Sequence, residues 1–247
     1  MTISSLIPAT WQVPDIFRKR LGASVGRQRA MQADGHLLLV LHLPPDPDQK
    51  NREPRILWRD PQGDWRGTDT GSGTVAVRKH LDQYDAKLDE FEKDEAAATK
   101  ADDYLPLLEG LAPLLRSIRN LEQVMQDART MIPDDRDLID FRDAAYELAR
   151  NADLLYTDAR NGMDVAIIRR AEEQSRAAER TAVAANRFNL LVAFFFPIGI
   201  LAGVFGVNLK NGLEEIPPPW PIVTLITAGI ACGVILALHI SATAKDS

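Results

Sequence analysis

The chain is poor in the residues on which several large classes of protein depend. It has 247 residues but a single cysteine, Cys232, which excludes internal disulfides and metal sites built from thiolates. Its four histidines show no metal-ligand spacing, and no serine or aspartate belongs to a recognisable nucleophile motif. A glycine loop of the Walker type is missing too. These absences argue against an enzyme and provide no site for ATP.

Basic residues are outnumbered by acidic ones, 29 to 35. The net charge is −6, which argues against nucleic acid as a partner because nucleic acid requires a basic face. The N-terminus has no basic region followed by an apolar run, so no cleaved signal peptide is expected. Insertion into a membrane, if it occurs, must be directed by apolar segments further along the chain.

Charge is absent altogether from two long segments near the C-terminus. The segments Phe188 to Val207 and Pro221 to Ile240 each contain twenty residues without one charged side chain. At about 1.5 Å per helical residue, each spans roughly 30 Å, the thickness of a bilayer's hydrocarbon core. A buried pair of soluble helices is the alternative. We predict two membrane spans, 188–207 and 221–240, with an outer loop at 208–220 and a tail at 241–247.

The flanking charges predict the orientation of these spans. Five arginines lie within about twenty residues before the first span, namely Arg169, Arg170, Arg176, Arg180 and Arg187. The loop and the tail contain one lysine each, Lys210 and Lys245. The positive-inside rule therefore predicts a multi-pass protein of the cell (inner or plasma) membrane with both termini in the cytoplasm.

The first 75 residues contain strand patterns. The run His36 to Leu43 is apolar and ends at two prolines, which indicates a buried strand. Arg55 to Trp65 has the pattern of a hairpin, with Pro61 and Gly63 in its turn. We predict a small cytosolic α/β unit at 1–75, whose topology the pattern leaves open.

Residues 76–187 have the pattern of long helices. Apolar residues recur at three- and four-residue spacing from about Val75 to Asp103 and again from Asp103 to Met131, with Pro106 in the first turn of the second helix. Pro133 then breaks the chain, and Asp134 and Asp135 suit the positive end of a third helix.

That third helix is expected to continue unbroken into the first span, because no proline follows until Pro197. Its narrow, alanine-rich apolar seam needs neighbours to bury it, which predicts a homo-oligomer with coiled-coil character. The predicted fold class is an α+β membrane protein, in which long cytosolic helices form a stalk continuous with the first of two C-terminal spans.

A terminal motif in the first span adds a family resemblance. The segment Pro197 to Asn208 reads PIGILAGVFGVN, with a proline before a closing Phe205-Gly206-Val207-Asn208. In this position it resembles the CorA family of pentameric transporters of magnesium and other divalent cations, whose usual ending is Tyr/Phe-Gly-Met-Asn. Val207 replaces the methionine. The resemblance is good over roughly 134–240, and it implies a homopentamer.

The resemblance implies a selectivity filter at Gly206, Val207 and Asn208. Because Mg²⁺ holds its water tightly, a ring of Asn208 amides with backbone carbonyls at Gly206 and Val207 suits a hydrated ion held through its water shell. The alternative is that Gly206 ends the helix and Asn208 caps the turn. Glu214 and Glu215 are expected to form an acidic ring at the outer mouth that concentrates cations. The alternative for them is a solvated polar loop.

Helical spacing back from the filter predicts which residues line the pore and form its gate, namely Gly203, Gly199, Phe196, Val192 and Phe188. Small glycines would leave room for a hydrated ion, and phenylalanine rings would form constrictions that close by dewetting. The alternative is that the phenylalanines face lipid or the second span.

The resemblance implies transport of divalent cations, Mg²⁺ or related ions such as Zn²⁺ or Co²⁺, driven by membrane potential or an ion gradient. No resident cofactor is expected, since the cation is cargo, and the expected partners are further copies of the chain and the lipid bilayer. In the family, cytosolic divalent ions between acidic faces close the pore, and the candidates here are Asp89, Glu90, Glu92, Asp94 and Glu95. The alternative function is a membrane-anchored helical scaffold of the same fold that conducts nothing.

Overall fold

The structure, a computed structural model, describes residues 6–22, 26–46, 53–206, 217 and 219–243. The chain divides into two compact units, Met1–Arg169 and Arg170–Ser247. In chain order the elements are α1 (Asp15–Arg20), β1 (Arg29–Ala33), β2 (His36–His42), β3 (Pro54–Arg59), β4 (Trp65–Gly67), β5 (Gly71–Ser72), α2 (Thr74–Ala97), α3 (Ala101–Met131), α4 (Arg136–Gly206) and α5 (Trp220–Thr243).

The first unit contains a five-stranded sheet in the order β1-β2-β3-β4-β5, in which every neighbouring pair is antiparallel. Asp34 and Gly35 connect β1 to β2 and both have positive φ, 51° and 79°, as a tight two-residue hairpin turn requires. The predicted strand from His36 and the predicted hairpin around Pro61 and Gly63 are both confirmed. The sequence had left the topology open, and the sheet is a simple meander that is followed, not interrupted, by the long helices.

β2 has an unbroken apolar run because both faces of the sheet are covered. On one face, Leu37, Leu39 and Leu41 belong to a core shared with α2, α3 and the start of α4. On the other face, Leu38 and Val40 belong to a second core, which is closed by the N-terminal segment. A strand buried on both faces has no reason to alternate apolar and polar residues.

The N-terminal segment is held over the sheet by both apolar and polar contacts. Ile7, Trp11 and Phe17 are buried in the second core, and the Trp11 ring lies 5.6 Å from that of Trp58 on β3. Arg18 donates hydrogen bonds to the backbone carbonyls of Ile7, Pro8 and Trp11. This one guanidinium therefore satisfies three carbonyls that belong to no helix or strand.

Helices α3 and α4 each start beside a carboxylate that accepts backbone N–H groups. Asp103 accepts N–H groups of Thr99 and Lys100, at 3.0 and 2.9 Å, so α3 begins at Ala101. This start is earlier than predicted, and Pro106 consequently lies inside α3 and not in its first turn. At α4, Asp135 accepts the N–H groups of Asp137 and Leu138, which confirms the predicted helix start.

In the second unit, α4 ends at Gly206 and α5 follows from Trp220. Among the described residues, α4 is the one helix long and apolar enough to cross a membrane, with a mean hydropathy of 1.8 in its apolar window. The apolar stretch that the described residues of α5 form, Trp220–Leu236, is shorter than that minimum length. Helix α4 has no break between Arg136 and Gly206, as predicted, and Pro197 lies inside it.

Candidate functional site

The predicted filter lies at the edge of what the structure describes. Gly206 is the last residue of α4, while Val207 and Asn208 lie outside the described residues. Glu214 and Glu215, the predicted acidic ring, lie outside them as well. The filter and the ring therefore stay predictions from the sequence.

The five predicted pore residues lie on one exposed face of α4. Phe188 and Phe196 are 66% and 64% exposed, and Val192 is 43% exposed. A Cβ built on Gly199 or Gly203 would meet no atom within 4 Å. Among the described residues of the second unit, none packs closely against these two glycines. This part of the helix surface can accept a further molecule, whether a second copy, lipid or water.

The opposite face of α4 is occupied by α5. A Cβ added at Gly233 would lie 3.0 Å from the carbonyl oxygen and 3.2 Å from the Cα of Phe194. A Cβ added at Gly229 would lie 2.9 Å from Cγ1 of Ile198. Because successive helical residues are about 100° apart, Phe194 and Ile198 point away from Phe196. The two helices therefore pack backbone to backbone at the level of the predicted pore residues.

Phe194 and Phe195, which precede Phe196 in the first predicted span, lie in different surroundings. Phe194 lies partly buried with its backbone against α5, whereas Phe195 is 60% exposed. The rings of Phe194 and Phe195 meet edge to face at 5.3 Å. The sequence analysis missed Gly229 and Gly233, although their four-residue spacing in an apolar helix is a known signal for close helix packing.

A shallow apolar groove runs along the exposed face of α4, lined by Val192, Phe195, Phe196, Gly199 and Ile200. It contains no charged side chain and so offers no direct ligand to a bare cation. A surface of this kind can narrow a water-filled path or contact lipid, but it cannot bind an ion by itself.

The outer surface of α5 suits a lipid environment. Ile222, Ile226 and Ile230 are exposed, and the hydroxyls of Thr224 and Thr227 donate to carbonyls one turn back in the same helix. Internal satisfaction of hydroxyl groups is what a helix in hydrocarbon requires.

The first unit contains an acidic groove of about 320 Å³ between α2 and α4. Its carboxylates are Asp85, Asp89, Glu92 and Glu95 from α2 and Asp158 from α4. Burial raises the pKa of Asp85, and the charges of Asp89 and Asp82 raise it further.

The structure separates the acidic residues that the sequence grouped as regulatory candidates. Asp89, Glu92 and Glu95 line the acidic groove, whereas Glu90 accepts a 2.6 Å hydrogen bond from Lys87 and Asp94 lines a different pocket beside Phe91. Within the described residues, no three His, Cys, Asp or Glu side chains are arranged to hold a metal ion. Regulation by these residues stays a prediction.

A buried polar network that the sequence analysis missed joins the sheet to α2. Arg55 is 2% exposed, and its guanidinium forms a two-pronged pair with Asp69 at 2.8 and 2.5 Å. The same guanidinium donates to Gln83 and to Nδ1 of His80, at 2.6 and 2.9 Å. Since arginine has no acceptor, Nδ1 of His80 must accept, and the proton of the neutral ring lies on Nε2. No signal in the sequence links these residues, which are up to 28 positions apart.

Comparison with known proteins places these features in a family. The family model described as CorA-like Mg²⁺ transporter protein matches residues 74–240, from the start of α2 through nearly all of α5. No curated protein matches the sequence.

The solved structures that are similar to this chain include the two that follow. The full-length CmaX protein is 14% identical with a TM-score of 0.52, and the match covers 92% of this chain and 80% of CmaX. The CorA magnesium transporter from Methanocaldococcus jannaschii is 12% identical with a TM-score of 0.43, over 90% of this chain and 81% of that one. Because the family match covers more than half of the residues, it shows that the chain belongs to the CorA-like Mg²⁺ transporter family.

Proposed function

We propose that the protein transports hydrated divalent cations, Mg²⁺ first among them, across the cell membrane through a pore formed by several copies of α4. Five copies are proposed, by analogy with the family, with the first unit and the tail in the cytoplasm. The proposal rests on the family match and, in the structure, on one observation. Helix α5 covers one face of α4 and leaves exposed the face on which the five predicted pore residues lie.

The exposed face suits a pore that conducts ions with their water. Gly199 and Gly203 have open space before them, which a ring of copies would leave for a hydrated ion. Phe196 and Phe188 would give such a ring two apolar constrictions without any carboxylate to strip the ion. Recognition would then take place at the proposed filter, where Asn208 amides meet the water shell.

The driving force in this proposal is electrical. A divalent cation gains about 4.6 kcal/mol on crossing 100 mV of inside-negative potential, twice the value for one charge. That energy is sufficient for uptake without ATP. Glu214 and Glu215 at the outer mouth would raise the local concentration of cations before entry.

The test is flux of Mg²⁺, Zn²⁺ and Co²⁺ into proteoliposomes that contain the full-length protein. We expect flux that increases with inside-negative potential and that Asn208→Ala abolishes or makes less selective. The matched control is Asn211→Ala, which removes the same amide three residues further along the same loop and should leave the ion preference unchanged.

Two further results complete the test. Mass measurement of the detergent-solubilised protein should give five chains for both variants, so that a loss of flux is not a loss of assembly. Absence of flux for all three ions, from an assembled wild-type protein, would instead favour the non-conducting scaffold.

A further inference from the structure

Gly229 and Gly233 are two residues of α5 that lie directly against α4. Both are buried, although most of the described side chains of α5 are exposed. A Cβ at Gly233 would lie 3.0 Å from the carbonyl oxygen and 3.2 Å from the Cα of Phe194, which is closer than most Cβ atoms approach a neighbour.

The contact lies at the level of the exposed face that the proposed function assigns to the pore. Phe194 and Ile198 touch α5, while Val192, Phe196 and Gly199 lie on the other side of the same two turns of α4. A change in the distance between the helices at this level must shift or rotate α4, because a backbone carbonyl cannot move aside as a side chain does. A rotation would carry Phe196 around the helix axis.

We propose that Gly229 and Gly233 are positioning residues for ion selection: their close approach sets the rotation of α4, and thereby the width of the pore at Val192, Phe196 and Gly199. This inference rests on the proposed function. The two glycines touch no ion and act through the backbone of α4.

The two contacts differ in kind, and the difference provides a sharp test. The closest atom to a Cβ at Gly229 is Cγ1 of the Ile198 side chain at 2.9 Å. The closest atom to a Cβ at Gly233 is the backbone carbonyl oxygen of Phe194 at 3.0 Å, followed by Cα and the ring atom Cδ2 of the same residue, both at 3.2 Å. Truncation of Ile198 can therefore make room for a methyl group at position 229. No side-chain truncation removes the Phe194 carbonyl, so a methyl group at position 233 should not be rescued in this way.

The experiment measures the ratio of initial Mg²⁺ to Co²⁺ flux in proteoliposomes of the full-length protein. We expect Gly233→Ala and Gly229→Ala each to change this ratio by about threefold or more. Ile198→Ala should restore the ratio when combined with Gly229→Ala, and Phe194→Ala should not restore it when combined with Gly233→Ala. The matched control is Ala231→Val, which adds bulk between the two glycines on the exposed side of α5 and should leave the ratio unchanged.

A second readout does not depend on flux. A nitroxide attached at Val192→Cys, in a Cys232→Ser background, reports the accessibility of the exposed face to a water-soluble relaxation agent. Gly233→Ala should change this accessibility, and Ala231→Val should not. Wild-type protein that carries none of Mg²⁺, Co²⁺ and Zn²⁺ overturns the proposed function, and the nitroxide then decides alone whether the glycines position α4. Flux that is present but has the same ion ratio in Gly233→Ala as in wild type overturns the inference.

Discussion

Arg59 on β3 donates from Nε to Oδ2 of Asp135 at 2.5 Å, across 76 residues of chain. The other carboxylate oxygen, Oδ1, accepts the backbone N–H groups of Asp137 and Leu138 at the start of α4. The two side chains are 13% and 7% exposed, so this ion pair is largely shielded from water. One carboxylate thus caps the longest helix of the protein and ties its first turn to the sheet.

Replacement of Asp135 should separate these two roles. Asp135→Ala removes both the cap and the partner of Arg59, and we expect it to lower the free energy of unfolding by about 2–4 kcal/mol. Asp135→Asn keeps a capping oxygen and should cost less. Thermal unfolding of the solubilised full-length protein measures both. Asp134→Ala, at the exposed neighbouring carboxylate, is the control and should have little effect, and equal losses for positions 134 and 135 would contradict the assignment.

Gly162 is a glycine inside α4 for a packing reason. A Cβ at this position would lie 2.7 Å from three atoms of the Tyr104 side chain. Tyr104 is 8% exposed and its hydroxyl donates to the carbonyl of Ala98, so the ring cannot withdraw without the loss of that bond. We expect Gly162→Ala to lower the free energy of unfolding by about 1 kcal/mol, because overpacking exceeds the gain in helix propensity.

The control for this prediction is Asn161→Ala at the adjacent, exposed position. It brings a similar gain in helix propensity without a clash, so it should be neutral or slightly stabilising. Chemical denaturation of the two variants side by side measures the difference. If Gly162→Ala stabilises the protein as much as Asn161→Ala does, the Tyr104 ring does not restrict this position.

Because His80 is buried, we expect the first unit to lose stability in acid. Burial, together with the charges of Arg55 and His42, lowers the pKa of His80 from 6.5 to about 3, against the opposing effect of Asp69. Below pH 6.5, His80 is protonated in the unfolded chain but stays neutral in the folded chain. The free energy of unfolding therefore falls as the pH falls from about 6.5 towards 3. The slope should approach about 1.4 kcal/mol per pH unit.

Asp69 contributes in the same direction but in a different range. The hydrogen bond from Arg55 lowers the pKa of Asp69 below its ordinary value of 3.8. The contribution of Asp69 to folding stability is therefore lost only as the pH falls below about 3.8. His80→Gln, which can still accept from Arg55, should therefore flatten the dependence of unfolding free energy on pH between about 4.5 and 6.5. Denaturant titrations across this range measure the two slopes. Equal slopes in wild type and variant would show that His80 titrates normally in the folded protein.

Local patterns were sufficient to predict the elements that depend on local chemistry. The apolar run from His36 predicted β2, and Asp135 marked the start of α4, because burial and capping are visible in neighbouring residues. The start of α3 was placed too late, since Asp103 caps that helix from inside its first turn and the helix begins before the residue that marks it. Pro106 was misplaced for the same reason.

Features that depend on a partner far along the chain could not be predicted in this way. The sequence does not show why α4 contains Gly162, because the reason is the Tyr104 side chain packed against it. Nor does it show that Arg55 is buried, because its partners Asp69 and His80 lie further along the chain. Helical spacing alone placed the five predicted pore residues on one face of α4, and their role in a pore stays a prediction. Which face of α4 packs against α5 could be seen only from the three-dimensional positions of Gly229 and Gly233.

The rotation of α4 can be tested through the neighbouring rings of Phe195 and Phe196. Both are about equally exposed, at 60% and 64%, but they are separated by about 100° around the helix. If the proposed face surrounds the pore, the Phe196 ring narrows the path and the Phe195 ring lies to its side. Phe196→Ala should then raise the initial rate of Mg²⁺ flux by about tenfold, which corresponds to a barrier lower by about 1.4 kcal/mol.

Phe195→Ala is the matched control, because it removes the same ring from the same helix and should change the rate little. Flux into proteoliposomes at equal protein density measures both variants. A rate that rises for Phe195→Ala and not for Phe196→Ala would mean that the pore faces the side of the groove formed by Phe195. Helix α4 would then be rotated by about one residue from the position proposed here, and Phe196 would belong to a contact with lipid or with a neighbouring copy.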